Sequence, residues 1–315
     1  MFSCHQATLF GGTGFLGRAI VPRLAKKGVI IRVPTRDLEK ARALQPSGDA
    51  GQIMPFLSFA HSDSDVARAI ADSDTVINLI GIIYEKGHKT FQSLHVETAA
   101  RIARIAKEQG AKNFVHLSFL TADGQSKSKL NRSKAAGEAA VRAFFPEAVI
   151  LRPSLVFGAN DRFFNRFAYL ARFSPVIPLV GGATKFQPVY AGDVAEAVMK
   201  ALGKTNARGQ TYELGGPSVY TVRQLMEAVL CETRRSRPFI NLPWALAKFL
   251  AVFLERMPRP LLSRDMVEML KTNNVVCPFG ALTLRDLGIT PQPLEAILPT
   301  YLACYRDGGQ FSAAN

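Results

Sequence analysis

The sequence predicts an α/β fold in which a parallel sheet is covered by helices on both faces and a smaller C-terminal lobe follows. Apolar, β-like runs alternate with helix-forming segments through the first half of the chain. These runs are continuously apolar, which is typical of strands that are buried on both faces. A glycine-rich loop stands between the first strand-like run and the first helix-like segment, which indicates a Rossmann-type, doubly wound sheet.

The alternation begins close to the N-terminus. Residues 7–10 form a short β-like run, the glycine loop follows, and residues 18–27 have helix-forming composition that ends at Gly28. The β-branched run at 29–33 predicts the second strand. Further along, the pattern predicts a helix at 66–71, a strand at 75–80, a helix at 96–109, a strand at 113–118, a helix at 134–144 and a strand at 148–151.

A smaller lobe is expected after Pro153, because prolines and the pair Gly181-Gly182 interrupt the alternation there. We predict a Rossmann-type domain over residues 1–155, to which the segment 186–202 returns with one more helix. The lobe then comprises residues 156–185 and 203–315. A chain of 315 residues is long enough for this division, since single cores stop growing at roughly 250 to 300 residues.

The chain is basic, with a formal net charge of +14. Such a charge suits nucleic acid, an anionic membrane surface or an acidic protein partner. The 39 Lys and Arg residues are spread along the chain without a nucleic-acid-binding motif, so we expect no sequence-specific recognition of nucleic acid. The spacing of the four cysteines and of the histidines predicts neither a disulfide framework nor a metal site. We also expect no transmembrane helix, because no apolar stretch approaches roughly 18 residues, and no cleaved signal, because the N-terminus runs into a strand pattern within a few residues.

The loop between the first strand and the first helix carries the spacing Gly-x-Gly-x-x-Gly. Glycines at this spacing allow a tight turn, close approach of the backbone to a pyrophosphate, and close packing of helix on strand. The N–H groups that open the helix can then hold the pyrophosphate, whereas the alternative is a simple glycine-rich turn. The residues predicted to contact a dinucleotide are Gly11, Thr13, Gly14, Phe15, Leu16 and Gly17.

Gly11 also gives this loop the spacing Gly-x-x-Gly-x-x-Gly, through Gly14 and Gly17. With this spacing, residues 7–200 resemble the extended and atypical short-chain dehydrogenase/reductase family. In that family an acid at the end of the second strand selects NAD, whereas a base just after it accommodates the 2′-phosphate of NADP. Thr35 stands at the acid position, Arg36 follows it, and Arg18 is a second candidate contact. The resemblance therefore implies NADPH in preference to NAD(H). The alternative is that Arg36 is a solvated base and that Asp37 holds the ribose of NAD.

The resemblance also implies a Tyr-x-x-x-Lys pair and an upstream serine, in which the tyrosine supplies a proton to a carbonyl substrate. Lys134 matches the lysine, but Leu130 stands four residues earlier and has no proton to give. Ser118 ends a strand where the serine is expected, although a shift of one residue would place Phe119 there. The usual proton relay is therefore absent, and no catalytic residue is assigned.

Lys134 and Ser118 then remain as cofactor contacts, together with Ile80 and Gly81 at the end of the strand at 75–80. Two alternatives stay open. Lys134 could be a surface lysine paired with Glu138 on the same helix. Tyr84, which follows the same strand, could sit near the nicotinamide and replace the missing tyrosine.

Further segments narrow the resemblance to the NADPH-binding accessory subunits of respiratory complex I and their bacterial relatives. That resemblance implies a non-catalytic accessory or assembly subunit at the membrane and quinone junction, with other complex I subunits as partners. It implies the cytoplasmic face of a bacterial inner membrane, or the matrix side of a mitochondrial one. The segments are Asn78-Leu79-Ile80-Gly81, Leu151-Arg152-Pro153-Ser154, Phe157-Gly158 with Asp161-Arg162-Phe163, and Gln187-Pro188-Val189-Tyr190 with Asp193-Val194.

Two competing functions remain at this stage. One is an active NADP-dependent reductase, epimerase or dehydratase that acts on a sugar-nucleotide or a quinone-related substrate. The other is a basic membrane-surface protein that has kept the fold and lost the nucleotide. Residues 238–262 bear on location, because apolar residues and a tryptophan are interleaved there with Lys248, Arg256 and Arg259. Such a helix can lie on an anionic membrane or against a membrane-arm subunit, and the alternative is a helix buried within the lobe.

Overall fold

The computed structural model of the chain describes residues 4–257 and 260–308, and it confirms the predicted α/β class with a parallel sheet. The chain divides into two compact units. Unit 1 runs to Pro153 and includes Gly192–Leu214 and Pro278–Ile289, whereas unit 2 contains Ser154–Ala191, Gly215–Cys277 and the chain from Thr290 onward.

The strands are, in chain order, β1 (Gln6–Phe10), β2 (Ile30–Thr35), β3 (Ile53–Leu57), β4 (Thr75–Asn78), β5 (Asn113–Leu117), β6 (Val149–Pro153), β7 (Val156–Phe157), β8 (Ile177–Val180), β9 (Lys185–Phe186), β10 (Val189–Tyr190), β11 (Thr211–Leu214), β12 (Tyr220–Thr221), β13 (Phe239–Leu242) and β14 (Leu282–Thr283). The α-helices are α1 (Phe15–Ala25), α2 (Leu38–Arg42), α3 (Asp63–Ile70), α4 (Thr98–Glu108), α5 (Lys129–Phe144), α6 (Phe163–Phe173), α7 (Ala191–Gly203), α8 (Val222–Glu232), α9 (Trp244–Leu254), α10 (Arg264–Met269) and α11 (Leu294–Leu302). A π-helical turn, Gln92–Glu97, leads directly into α4.

The sheet of unit 1 has eight parallel strands in the order β14-β11-β6-β5-β4-β1-β2-β3. The strand order reverses between β1 and β4, and their pairing aligns Phe10 with Asn78. In open α/β sheets, ligands bind beyond the carboxyl ends of the strands at such a reversal. The topology therefore brings the glycine loop after β1 beside the residues that follow β4.

Both faces of the sheet are covered, as the continuous apolar runs predict. All four residues of β4 are buried, although successive side chains of a strand point to opposite faces. One face packs its apolar side chains against α3, α4 and α5 in a single cluster that includes Val66, Ile102 and Val141. Burial of β4 on both faces explains why its sequence does not alternate between apolar and polar residues.

The division of the chain differs from the prediction, which placed residues 203–315 in the lobe. β11 pairs with β6 and β14 pairs with β11, so both strands extend the sheet of unit 1. The segment that returns to unit 1 is Gly192–Leu214, later in the chain than the predicted 186–202. Strands of two to four residues carry too little pattern to be recognised locally. They form because β6 would otherwise leave an open hydrogen-bonding edge.

Several helices begin earlier than predicted. α5 starts at Lys129, five residues before the predicted start, because the Ser128 side chain accepts a hydrogen bond from the Asn131 N–H and caps the helix. The strand at 53–57 and the short helix α2 were not predicted at all. Within the described ranges, no helix is long and apolar enough to cross a membrane.

Unit 2 has its own core, in which Phe164 of α6, Leu225 of α8 and Leu298 of α11 pack together. The segment 238–262 is not one helix: it contains β13 and then α9. α9 buries only Ala247 and Ala251 among its residues, against Val267 and neighbouring side chains. The alternative of a helix buried within the lobe is therefore wrong. Arg259, which the sequence analysis grouped with this segment, lies outside the described residues.

Candidate functional site

The glycine loop joins β1 to α1 with the close contacts that its spacing predicts. A Cβ atom on Gly17 would lie 2.2 Å from the carbonyl oxygen of Gly12, so no other residue fits there without moving the backbone. Gly11 has a φ of 80°, in the left-handed region that favours glycine. Gly14 is the N-cap of α1 and is exposed, and no side chain caps the helix. The N–H groups that open α1 are therefore available to an anion.

The other loop residues support this geometry. Phe15, Leu16 and Gly17 form the first turn of α1, and Leu16 is buried. The Thr13 carbonyl oxygen accepts a hydrogen bond from Arg18 Nε, at 3.3 Å. Arg18 is exposed, so its guanidinium lies at the rim of the loop.

Arg36 and Asp37 follow β2, and they differ in their hydrogen-bond and ion-pair partners. The Asp37 carboxylate caps α2 by accepting from the Lys40 N–H at 3.3 Å, and it also accepts from Lys40 Nζ at 2.6 Å. The hydrogen bond from the Lys40 side chain, above all, holds the pKa of Asp37 below its usual value. Arg36 is exposed, and its side chain forms no hydrogen bond or ion pair with any described residue. Asp37 is thus engaged by Lys40 although its side chain is 45% exposed, whereas Arg36 has no such partner in the described part of the chain.

Lys134 lies at the carboxyl edge of the sheet, beneath the residues that follow β4. Its side chain is buried, with 3% of its surface exposed, and Nζ donates to the Leu117 carbonyl oxygen at 3.3 Å. Nζ also lies 4.7 Å from the centre of the Phe119 ring. A Cβ atom on Gly81 would lie 3.1 Å from Nζ, so the glycine leaves room for the ammonium. Burial lowers the pKa of Lys134 to about 8, against the smaller opposing effect of Glu138.

Glu138 does not pair with Lys134. It accepts two hydrogen bonds from Arg152, at 2.9 and 2.6 Å, and its side chain is buried. The alternative in which Lys134 is a surface lysine paired with Glu138 is therefore wrong. The ammonium faces a carbonyl and an aromatic ring, and none of the described carboxylates forms an ion pair with it.

Ser118 and Phe119 differ in burial and in their contact with Lys134. Ser118 is fully buried, and its hydroxyl has no hydrogen-bond partner among the described residues. Phe119 is half-buried and stands beside the ammonium of Lys134. Leu130 is fully buried one turn before Lys134 on α5. Of these three residues, Phe119 is the one shown to contact the ammonium, and neither Phe119 nor Leu130 carries a hydroxyl group.

Tyr84, the alternative proton donor, forms no hydrogen bond with Lys134 in this structure. It is half-buried in the loop after β4, and its hydroxyl bonds to no described residue. Ile80, in the same loop, donates its N–H to Asn78 Oδ1 at 3.1 Å, which holds the loop against the end of β4. The loop thus supplies backbone groups and no proton donor bound to the lysine.

The sequence analysis did not identify His95 as a site residue. His95 lies in the π-helical turn, is 2% exposed, and forms hydrogen bonds with Ile82 N at 3.0 Å and Ser133 Oγ at 2.8 Å. Burial first, and then the charge of Lys134, lowers its pKa to about 3, so the ring is neutral. No sequence signal points to this role, because an isolated histidine in a helical segment resembles an ordinary core residue.

His116 adds a second neutral ring below Lys134. The Asn78 side-chain amide lies 3.3 Å from His116 Nδ1, whereas Nε2 has no partner among the described residues. Burial and the charge of Lys134 lower the pKa of His116 to about 3. No group of three or more His, Cys, Asp or Glu side chains within 4–257 and 260–308 is arranged to hold a metal ion. The site offers an anion-binding helix end, a buried ammonium and neutral polar groups.

Comparisons with known proteins agree with this description of the fold. Residues 7–215 match the family described as the NAD dependent epimerase/dehydratase family. A crystal structure of Thermus thermophilus UDP-glucose 4-epimerase in complex with NAD superposes with a TM-score of 0.62 at 18% identity, over 84% of this chain and 99% of that one. At that level of identity, the likeness concerns the fold alone.

Similarity in sequence extends over nearly the whole chain in two curated relatives. The mitochondrial NADH dehydrogenase (ubiquinone) 1 alpha subcomplex subunit 9 of Arabidopsis thaliana is 38% identical over 96% of this chain and 78% of its own length. The mouse protein of the same name is 38% identical over 92% of this chain and 77% of its own length.

Proposed function

We propose that this chain, which belongs to the NAD dependent epimerase/dehydratase family, is a nucleotide-binding accessory subunit of respiratory complex I without turnover of its own. Its relatives at 38% identity are named as subunits of NADH dehydrogenase (ubiquinone). One observation carries the proposal: the dinucleotide loop and the buried Lys134 are kept, whereas Leu130 and Phe119 stand where the relay needs hydroxyl groups. The bound nucleotide then stabilises the subunit and is not consumed.

Affinity purification of the tagged chain from its own cells tests this proposal. We expect complex I subunits in the eluate and one nucleotide per chain, identified by mass spectrometry after denaturation. A variant with Gly14→Val keeps the tag and should remove the nucleotide at a position where the added Cβ is less crowded than at Gly17, which separates nucleotide-dependent partners from background. An eluate free of complex I subunits would contradict the accessory-subunit assignment. Such subunits belong on the cytoplasmic face of a bacterial inner membrane, or on the matrix side in mitochondria.

The nucleotide is NADPH, because Arg36 is the free base beyond β2. The Asp37 carboxylate already accepts from the Lys40 backbone and side chain, which supports Arg36 over Asp37 as the residue that meets the adenosine ribose. Arg36 can form charge-assisted hydrogen bonds to a 2′-phosphate, and Arg18 at the loop rim is placed to add a second. Lys134 would face the ribose hydroxyls at the nicotinamide end.

Affinities for NADPH and NADH measure this preference directly. Arg36→Ala should weaken NADPH binding by about 10- to 100-fold and leave NADH binding nearly unchanged, since a charge-assisted contact contributes about 1.5 to 3 kcal/mol. Arg285→Ala is a matched control, because Arg285 is exposed beside β14 at the other edge of the sheet. Equal affinities of the native protein for both nucleotides would overturn the assignment of NADPH.

An active NADP-dependent reductase, epimerase or dehydratase is the competing function, and the geometry around Lys134 does not favour it. Turnover would need a proton donor that neither Leu130 nor Phe119 supplies. NADPH oxidation by the native protein with quinone substrates tests for a reductase. Conversion of sugar nucleotides, followed by analysis of the sugar product, tests for an epimerase or dehydratase, because such enzymes recycle their cofactor. Substantial oxidation that disappears in Lys134→Ala would show that another residue supplies the proton.

The exposed face of α9 supports a peripheral position on an anionic bilayer. Leu246, Phe249 and Phe253 recur every three or four residues along α9 and form one stripe, in which Phe249 is 62% and Phe253 56% exposed. Insertion of such a stripe into a bilayer is favourable by about 25 cal/mol for each Å² of apolar surface that leaves water. The net charge of +14 adds an attraction to anionic lipid, which salt weakens.

Co-sedimentation with phosphatidylglycerol vesicles at low and high salt measures this association. The double variant Phe249→Ser with Phe253→Ser should lose most of the binding, and high salt should release part of the native protein. The control pair Tyr169→Ser with Phe173→Ser removes two equally exposed aromatic residues from α6 and should bind normally. No binding of the native protein at low salt would remove the membrane from this proposal and leave nucleotide binding intact.

A further inference from the structure

His95 joins two parts of unit 1 that the nucleotide site requires. Its Nε2 accepts a hydrogen bond from the Ile82 N–H at 3.0 Å, one residue after Gly81. Its Nδ1 lies 2.8 Å from Ser133 Oγ, directly before Lys134 on α5. The side chain therefore bridges the loop after β4 and the helix that carries the ammonium.

The direction of each hydrogen bond is determined by its neighbours. Because Nε2 accepts from a backbone N–H, the single ring proton lies on Nδ1 and is donated to Ser133 Oγ. The Ser133 hydroxyl in turn donates to the Leu130 carbonyl oxygen at 2.7 Å. A charged imidazolium would lose the bond from Ile82, so the bridge requires a neutral ring, as its burial beside Lys134 provides.

The backbone around His95 holds this ring in place. A π-helical turn carries it, and such turns are rare and are frequently found at functional sites. A Cβ atom on Gly137 would lie 2.1 Å from the His95 carbonyl oxygen, so α5 approaches this turn more closely than any other residue would allow. The ring also stacks on Phe91, with 5.4 Å between ring centres. These contacts leave the side chain no freedom to turn away.

We propose that His95 is a positioning residue for the nicotinamide half of the nucleotide, because it fixes the spacing between Gly81 and Lys134. This inference rests on the proposed nucleotide-binding function. The adenine half meets other residues, namely the glycine loop and Arg36, and the described hydrogen bonds of His95 do not reach them. Loss of His95 should therefore weaken one half of the nucleotide contact and spare the other.

Two ligands separate the halves: NADPH, and 2′,5′-ADP, which has the adenine and the 2′-phosphate but no nicotinamide. His95→Ala should bind NADPH about tenfold more weakly, the cost of one or two buried hydrogen bonds, and should bind 2′,5′-ADP as the native protein does. His95→Gln, whose amide can both donate and accept, should recover part of the NADPH affinity. Ser133→Ala removes the acceptor for Nδ1 and the donor to the Leu130 carbonyl oxygen but keeps the bond from Ile82, so its NADPH affinity should be intermediate. The anisotropy of bound NADPH fluorescence should fall in His95→Ala, because the nicotinamide gains motion.

A buried hydroxyl elsewhere in unit 1 controls for general loss of stability. Thr8→Val removes the hydrogen bond from Thr8 Oγ1 to the Ala69 carbonyl, at 2.8 Å, and should leave both affinities unchanged. Equal weakening of both ligands in His95→Ala, or no weakening of NADPH, would overturn the positioning role. If His95→Ala does not fold, the same comparison is made with His95→Gln and Ser133→Ala. Failure of the native protein to bind either ligand would instead overturn the proposed function.

Discussion

Replacing Lys134 with methionine should make the stability of the nucleotide-free protein much less dependent on pH. The Lys134 ammonium is buried without a carboxylate partner among the described residues, and burial lowers its pKa from 10.5 to about 8. This difference of 2.5 units corresponds to about 3 kcal/mol by which the folded state disfavours the charged lysine. Methionine has similar length and no charge, so it removes this cost while it keeps the buried volume filled.

The direction of the effect follows from the two pKa values. Below pH 8 the lysine is protonated in both the folded and the unfolded state, and the full cost is present. Between pH 8 and pH 10.5 the unfolded state binds more protons than the folded state, so stability increases with pH in this window. The free energy of unfolding of the native protein should therefore gain about 3 kcal/mol relative to Lys134→Met between pH 7 and pH 10.5.

Urea unfolding of both proteins at pH 7, 8, 9 and 10, followed by circular dichroism, measures this difference. The other titrating groups are common to both proteins, so the difference between them isolates the lysine. At pH 7 the variant should be the more stable, by about 1 to 2 kcal/mol, because it also loses the hydrogen bond to Leu117 and the contact with Phe119. Parallel pH profiles for the two proteins would refute a buried, unpaired ammonium.

Three further predictions follow from the site and its supporting helix. Gly17→Ala should abolish binding of either nucleotide and lower the midpoint of thermal unfolding, because the added Cβ would lie 2.2 Å from the Gly12 carbonyl oxygen. Titration calorimetry measures the binding, and differential scanning fluorimetry measures the midpoint. Leu130→Tyr alone should not produce NADPH turnover, because Phe119 still lies against Lys134. A trace of turnover in the double variant Leu130→Tyr with Phe119→Ser would show that the pocket still admits a carbonyl substrate. Ser128→Ala should lower the free energy of unfolding by about 1 kcal/mol through loss of the N-cap of α5, and an unchanged urea midpoint would contradict that role.

Local patterns predicted those features whose physical cause is local. The spacing of Gly14 and Gly17 predicts the turn after β1 because both glycines are required by contacts within the loop, with Gly11 and with Gly12 respectively. Continuous apolar runs predicted strands that are buried on both faces, and β4 is buried along its whole length. The absence of a tyrosine four residues before Lys134 is likewise visible in the sequence, since both positions belong to one helix.

Other features depend on contacts between distant parts of the chain. Whether Ser118 or Phe119 stands beside Lys134 depends on the end of β5 and on how α5 packs there, which spacing within either segment does not reveal. The role of His95 arises because Ile82 and Ser133, 13 residues before it and 38 residues after it, meet at one ring.

The fold class, the glycine-rich loop, the base after β2 and the absence of a tyrosine four residues before Lys134 are all visible in the sequence. Tertiary structure alone decided that Lys134 is a buried cation, that β11 and β14 complete the sheet, and that α9 exposes its apolar stripe. The physical reason is that burial and pairing are properties of the assembled core. The local sequence around Lys134 would be the same if Glu138, on the same helix, bound the lysine. In the folded chain Glu138 binds Arg152 on β6 instead.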